Sequence, residues 1–134
     1  MPNTLQKGNV ALGKAISYFT EIGYTVSVPL NDSQWYDLVV EKDGQLFTVQ
    51  VKYTGTKTKC GSYIVNLKTV SGSTRKVMYS VKDTPVDYLF CYCENGLRYL
   101  IPAKHMNAST QITLNLHKSK FSNKDLLDTA IYLV

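Results

Sequence analysis

The stretch YDLVVEKDGQLFTVQVK, Tyr36 to Lys52, has the pattern of two β-strands joined by a two-residue turn. Asp-Gly readily supplies the two positive φ angles of a tight hairpin, and here it separates two largely apolar segments. With Asp43 and Gly44 as the loop, the strands cover residues 36–42 and 45–53. The sequence therefore predicts a regular antiparallel hairpin in which Asp37 lies opposite Gln50.

The two faces of this hairpin differ in polarity. Residues directly opposite each other on one face have Cβ atoms about 4.5–5.5 Å apart. Lys52 lies two residues beyond Gln50, so it points to the same face, roughly 6.6 Å further along the strand. The other face carries an apolar set that requires a core, namely Leu38, Val40, Phe47, Val49 and Val51. We therefore expect Asp37, Gln50 and Lys52 to meet at the open end of the hairpin.

An acid, an amide and an amine in this arrangement suit metal-assisted phosphodiester hydrolysis. Asp37 is a hard oxygen ligand for Mg²⁺, and the Gln50 carbonyl and the backbone carbonyl of Val51 can add neutral oxygens. A bound metal acidifies a water molecule and stabilises charge on the phosphate. Lys52 can orient or deprotonate that water, or neutralise the developing charge. The alternative is a solvated Asp37–Lys52 pair beside an exposed Gln50, with little energetic consequence.

The rest of the chain predicts a helix, a run of strands and a final helix. Ala11, Ala15, Phe19 and Ile22 share one face of a helix over residues 4–22. Further strands are predicted for YTVSVP, SYIVNLK, DYLFCYC, LRYLIP and QITLNL, and a closing helix for NKDLLDTAIYLV. The segment TVSGSTRKVMYSVKDTP is weakly patterned and is predicted to be long and irregular. This order indicates one α/β or α+β domain over residues 1–134 with a mixed sheet.

Composition indicates a globular protein, with 44% apolar and 19% charged residues. We expect no membrane span, because no run of 18 apolar residues occurs. The first residues, MPNTLQKGN, do not resemble a secretory signal. Three cysteines without a disulfide-framework spacing favour a reducing compartment, which is the cytoplasm or, in eukaryotes, the nucleus, and we expect a cytoplasmic location.

The net charge of +5 is concentrated in one segment, because Lys52 to Lys82 contains seven basic residues and no acidic one. Such a segment is either a solvated basic surface or a footprint for a polyanion, most often nucleic acid. The candidate phosphate contacts are Lys57, Lys59, Arg75 and Lys76, with Gln34 at the mouth of the hairpin site.

The pattern YDLVV…DG…FTVQVK resembles the core of the PD-(D/E)XK nuclease superfamily. In that pattern Asp37 corresponds to the first acid and Lys52 to the lysine, while Gln50 stands where Asp or Glu is usual. LQKGNVALGKAI, GYTVSVPLND and YLIP make the resemblance closest to the intron-associated homing endonucleases of this type. Archaeal Holliday junction resolvases are similar more distantly.

The resemblance implies a restriction-endonuclease-like core, a mixed central β-sheet flanked by helices, and a Mg²⁺-dependent double-strand DNA endonuclease. It implies Asp37, Gln50 and Lys52 as catalytic residues, with Asp37, Gln50 and Val51 holding Mg²⁺, for which Mn²⁺ can substitute. It also implies a homo-oligomer, dimer or tetramer, because cutting both strands needs two sites.

The first helix departs from the resemblance. Nucleases of this type often carry a metal-reaching Glu there, and the corresponding position falls at or near Leu12. Either Asn9 or an acid from a second subunit completes the site, or the protein binds DNA without cutting it. Two alternatives stay open: a Holliday junction resolvase-like nuclease, and a catalytically inactive DNA-binding module of the same fold.

Overall fold

A computed structural model describes residues 3–31, 34–71, 77–106, 110–114 and 132–134. The elements run in the order helix α1 Thr4–Glu21, then strands β1 Thr25–Ser27, β2 Leu38–Lys42, β3 Gln45–Thr54, β4 Tyr63–Asn66, β5 Lys68–Ser71, β6 Val77–Ser80, β7 Tyr88–Cys93, β8 Arg98–Pro102 and β9 Gln111–Leu114. Two single-turn 3₁₀ helices, Val81–Asp83 and Ala103–His105, follow β6 and β8.

Local sequence signals set both ends of α1, within one residue of the predicted range. The Asn3 side chain accepts a hydrogen bond from the Gln6 N–H at 2.9 Å, and the Gln6 side chain accepts one from the Asn3 N–H at 2.8 Å, which forms a capping box. Gly23 ends the helix with a φ of +93°, where a side chain would be strained. The buried face is the predicted stripe of Ala11, Ala15 and Phe19.

The hairpin of β2 and β3 has the predicted turn and register. Asp43 and Gly44 have φ angles of 53° and 81°, as a two-residue hairpin turn requires. Lys42 pairs with Gln45, and the ladder continues without a slip to Leu38 opposite Val49. It stops there, one residue before the predicted pair of Asp37 and Gln50.

The main sheet is mixed, as expected, with five strands in the order β1-β2-β3-β7-β8. The β3–β7 pair is parallel and the other three pairs are antiparallel. Gln50 lies beside Leu89 and Lys52 beside Cys91 in the parallel pair. The two predicted site residues of β3 therefore belong to the interior of the sheet, not to an exposed edge.

Each face of the main sheet has its own core. α1 covers one face, where the buried side chains are Ala15, Phe19, Leu38, Val40, Val49 and Phe90. The small β4–β9 sheet contributes to the core on the other face, which includes Tyr63, Val65, Ile112 and Leu114 with Leu89, Cys91 and Tyr99. The mixed sheet with its helix confirms the predicted α/β fold class. In the described part of the chain, no helix is long and apolar enough to span a membrane.

Two sequence predictions for individual elements need correction. The segment predicted to be irregular contains most of β5 and all of β6, which pair antiparallel. Its Ser and Thr residues obscured the alternation, although Thr and Val suit strand geometry. YTVSVP forms only the three-residue β1.

The predicted closing helix falls almost entirely outside the described residues. It covers residues 123–134, of which 123–131 are not described. Within the described end of the chain, Leu133 forms an antiparallel bridge with Tyr99. The last residues therefore contact the edge strand β8 through the backbone.

Candidate active site

Asp37 is held against β3 by two hydrogen bonds. Its backbone N–H donates to the carbonyl of Val49 at 2.8 Å, and its carboxylate Oδ2 accepts from the Val51 N–H at 2.7 Å. The backbone bond is one residue out of step with the β2–β3 ladder, so Asp37 is not the strand partner of Gln50. The carboxylate bonds to the backbone of β3 instead, which fixes its position beside Gln50 and Val51.

Strand alternation in β3 and the hydrogen bond of Asp37 to β3 bring Asp37, Gln50 and Lys52 together. Leu38 and Val49 are strand partners and belong to the core under α1. Gln50 and Lys52 are two residues apart in β3, so they share the face opposite to that of Val49. Asp37 precedes β2, and its bond to the Val51 N–H brings its carboxylate beside Gln50. The predicted acid, amide and amine are thus brought to the same end of the hairpin, as the sequence pattern requires.

The Asp37 carboxylate and the Lys52 ammonium influence each other. Burial raises the pKa of Asp37, whereas the Val51 N–H and the positive charge of Lys52 act to lower it. Burial lowers the pKa of Lys52, and the negative charge of Asp37 acts in the opposite direction. Burial thus disfavours the charged form of both groups, and each stabilises the charge of the other.

Asp37, Gln50 and Val51 line one cavity of about 620 Å³ together with the first turns of α1. The helix contributes Thr4, Leu5, Gly8, Asn9 and Leu12 to this lining. Gln50 is only 8% exposed, so a polar amide is buried at the base of the cavity. Sequence reasoning did not identify Thr4, Leu5 and Gly8. Their spacing of about one helical turn from Asn9 and Leu12 was the available signal.

Leu12 lies where the resemblance places the helix acid, and its side chain offers no ligand to a metal. Asn9 lines the same cavity and has an amide oxygen, as the sequence analysis anticipated. Asp37 is the sole carboxylate among the described residues that line it. The described ranges also contain no cluster of three His, Cys, Asp or Glu side chains able to hold a metal.

The oxygen donors around this cavity still fit a divalent metal of the Mg²⁺ type. Such an ion is commonly held by one or two carboxylates and keeps several waters. One carboxylate from Asp37 and an amide oxygen from Gln50 match that preference, with Val51 also in the lining. A site with a single carboxylate is expected to bind the ion weakly.

The residues proposed for DNA contact lie apart from this cavity lining. Gln34, Lys57 and Lys59 are all exposed. The Lys57 Nζ lies 5.2 Å from the centroid of the Tyr63 ring. Arg75 and Lys76 lie outside the described residues.

Comparisons with known proteins agree with the fold. The sequence model described as "PD-(D/E)XK endonuclease" matches residues 2–132. Among solved structures, the bacterial homing endonuclease I-Ssp6803I is similar, with a TM-score of 0.72 and 26% sequence identity. That similarity covers 98% of this chain and 87% of the other. A search of curated proteins found no significant match.

Proposed function

The chain belongs to the PD-(D/E)XK endonuclease family, and we propose that it is a Mg²⁺-dependent, homing-endonuclease-like enzyme that hydrolyses phosphodiester bonds in double-stranded DNA. The observation that carries the proposal is the cavity lined by Asp37, Gln50 and Val51, with Lys52 coupled electrostatically to Asp37. Nucleases of this family generally use divalent metal ions.

Each residue of the site has a separate task in this mechanism. The metal, when bound, acidifies the attacking water and offsets charge on the scissile phosphate. Asp37 holds the ion through its carboxylate, which the Val51 N–H keeps in place. The Gln50 amide oxygen and the carbonyl of Val51 would supply further, neutral oxygen donors to the ion. Lys52 Nζ takes a proton from the attacking water, which its lowered pKa favours.

The proposal also covers the DNA contacts, the oligomeric state, the metal ion and the cellular compartment. Lys57, Lys59 and Gln34 are exposed and suit contact with the DNA backbone, and we include Arg75 and Lys76 in the same role. The chain acts as one domain over residues 1–134 and as a homo-oligomer, dimer or tetramer, because two strands require two sites. Mn²⁺ replaces Mg²⁺. A cytoplasmic setting is consistent with three free cysteines, Cys60, Cys91 and Cys93.

The test is cleavage of a plasmid library and of a four-way junction by purified protein with Mg²⁺, Mn²⁺ or Ca²⁺. We expect Mg²⁺ and Mn²⁺ to support cutting of linear duplex, and Ca²⁺ to support binding alone, because its coordination sphere is looser. Asp37→Asn should abolish cutting, whereas Glu21→Gln, at the far end of α1, should not. Cutting confined to the junction would favour a resolvase-like nuclease.

A catalytically inactive DNA-binding module is the second candidate, and one specific observation favours it. Leu12 and Gln50 are neutral, which leaves Asp37 as the one carboxylate of the described cavity lining. If wild-type protein binds DNA equally with and without metal, nicks no substrate, and is unaffected by Asp37→Asn, this second function is correct.

A further inference from the structure

A row of cations and aromatic rings crosses the sheet beside the active-site cavity. This cation–tyrosine row consists of three pairs: Lys7 with Tyr53, Lys14 with Tyr92, and Arg98 with Tyr18. In each pair the charged group lies 5.7 Å from the ring centroid. The Tyr53 and Tyr92 rings are neighbours, with centroids 6.2 Å apart.

Secondary structure aligns the members of the row. Tyr53, Tyr92 and Arg98 are successive strand partners across β3, β7 and β8. Because neighbouring strands lie about 4.8 Å apart, this line spans about 10 Å. On α1, positions 7, 14 and 18 are separated by two turns and then one, so they share one side of the helix. The row therefore follows from regular helix and strand geometry.

The row begins at the rim of the cavity that contains Asp37. Gly8 and Val51 line that cavity. Lys7 immediately precedes Gly8, and Tyr53 follows Val51 by two residues on the same face of β3. If one phosphate of a polyanion occupies the cavity, the next phosphates of the same strand can therefore lie along the row.

The charges of the row are available to a ligand. Within the described ranges, the side chains of Lys7, Lys14 and Arg98 form no ion pair, and each contacts a tyrosine ring. Contact with a ring face limits the motion of a cation while leaving its N–H donors open to an anion. The acid beside the row is Glu94, which lines a separate cavity of about 400 Å³ with Lys7 and Tyr53.

We propose that the cation–tyrosine row binds successive backbone phosphates of the DNA strand that runs out of the active site. The inference rests on the proposed function, since it takes the cavity as the place of the scissile phosphate. Each of the three cations can contact one backbone phosphate, so the row offers up to three phosphate contacts. Charge complementarity identifies the occupant as a nucleic-acid backbone.

The test measures binding of a short labelled duplex of arbitrary sequence by fluorescence anisotropy over a series of KCl concentrations, without divalent metal. Each phosphate contact contributes about 0.9 to the slope of log K against log salt. Lys7→Ala/Lys14→Ala should therefore flatten the slope by about 1.8, and adding Arg98→Gln by about 2.7 in total. If Arg98→Gln lowers the melting temperature, the double variant alone decides the result.

Lys42→Ala is the matched control. Lys42 Nζ also lies over a tyrosine, 5.3 Å from the centroid of the Tyr24 ring, but it is at the turn end of the hairpin. Its removal should leave the slope unchanged. An equal change in Lys42→Ala and in the row variants would overturn the proposal, because it would show a response to net charge alone.

Two further variants examine how the row works. Tyr53→Leu/Tyr92→Leu keeps every charge and removes the ring contacts, so it should weaken binding while keeping most of the slope. Glu94→Gln removes the acid beside Lys7 and should tighten binding. An unchanged affinity in both variants would contradict an organised row.

The outcomes separate this proposal from the proposed function. If wild-type protein cuts DNA and the row variants keep its salt slope, the row proposal is wrong and the nuclease proposal stands. If the row variants flatten the slope but no substrate is ever cut, the row stands and the nuclease proposal fails. A wild-type protein that does not bind the duplex at low salt overturns both.

Discussion

Lys52 is the residue whose ionisation is most directly connected with the proposed chemistry. Burial lowers the pKa of Lys52 and so favours loss of its proton, whereas the Asp37 carboxylate raises the pKa and favours keeping the proton. A general base must be deprotonated to act, and the rate should therefore rise as pH increases through the pKa of Lys52.

Lys52→Met should reduce the cleavage rate by about 10²–10⁴-fold, the usual contribution of a positioned acid–base group. Lys52→Arg is the discriminating variant, because arginine keeps its charge at every accessible pH. If Lys52 is the base, Lys52→Arg should be slow and lose the rise with pH. Single-turnover cleavage measured across pH is the test. If Lys52 instead neutralises charge on the phosphate, Lys52→Arg should cleave at a near-normal rate.

Gln50 offers a test of the metal site that does not depend on activity. Gln50→Glu places a carboxylate where 8% of the side chain is exposed, beside the Asp37 carboxylate. Without metal, two nearby buried carboxylates repel each other, so the melting temperature should fall. Mg²⁺ should restore it, because a ligand that binds only the folded chain stabilises that chain.

Gln34→Glu is the matched control for this substitution, since Gln34 is exposed and does not line the cavity. Differential scanning fluorimetry with and without Mg²⁺ should show a larger metal-dependent increase for Gln50→Glu than for wild type, and no such difference for Gln34→Glu. Equal increases in both variants would argue against a metal position at Gln50.

At the scale of elements, the β2–β3 hairpin brings the site together, and its turn limits which residues it tolerates. Gly44 has a φ of +81°, a conformation that costs an L-residue about 1–2 kcal/mol. Gly44→Val should lower the free energy of unfolding by at least about that amount. Urea unfolding monitored by circular dichroism would measure it.

The control for the turn is Gly13→Val, which tests the loss of a glycine where φ is not positive. A Cβ meets nothing within 4 Å at either position, so steric contact does not distinguish the two substitutions. Gly13→Val should be much less destabilising, because Gly13 lies in a helix interior, where replacing glycine removes an entropic cost. Equal losses of stability would show that the turn imposes no special constraint.

The hairpin also shows how far sequence alone could predict the site. Asp-Gly and alternation were enough for the turn and the register from Lys42–Gln45 to Leu38–Val49. The position of Asp37 was not predictable, because its carboxylate bonds to the backbone of Val51 and its N–H leaves the ladder. A pattern of residue types carries no information about such a side-chain-to-backbone bond.

At the scale of the whole molecule, local signals predicted where helices and strands form better than they predicted which strands pair with each other. Caps and an apolar stripe specify α1, but nothing local in Tyr63–Asn66 indicates that Gln111–Leu114 is its partner. The two strands are distant in sequence, and their pairing depends on covering the face of the main sheet opposite α1. Likewise Leu12 could be matched to a site position only through family resemblance, and the structure then placed it in the cavity lining.

That opposite face contains two buried cysteines, and they give a prediction for the stability of the whole fold. Cys91 and Cys93 are both 0% exposed. Burial raises the pKa of Cys91 strongly and that of Cys93 to about 11. In the unfolded chain both thiols ionise near their ordinary pKa of about 8.5.

The sign of the effect follows from proton binding. At a pH below 8 or so both states keep the protons of these thiols, since the ordinary pKa is about 8.5, and the thiols do not affect the pH dependence of stability. Between that pKa and the raised pKa of the folded chain, the unfolded state binds fewer protons, so the free energy of unfolding falls as pH rises. Each thiol contributes up to about 1.4 kcal/mol per pH unit.

Urea unfolding between neutral pH and pH of about 10.5 should therefore show a steeper loss of stability in wild type than in Cys91→Ala or Cys93→Ala, by up to about 1.4 kcal/mol per pH unit. Both variants should be less stable at neutral pH because they leave a cavity, but the slope is independent of that offset. Cys60→Ala removes an exposed thiol and should keep the wild-type slope. Identical slopes in all four proteins would contradict this prediction, because they would mean that the Cys91 and Cys93 thiols ionise as readily in the folded core as in the unfolded chain. Ionisation in the folded core is costly because both thiols are fully buried beneath β4 and β9, away from the water that would solvate a thiolate.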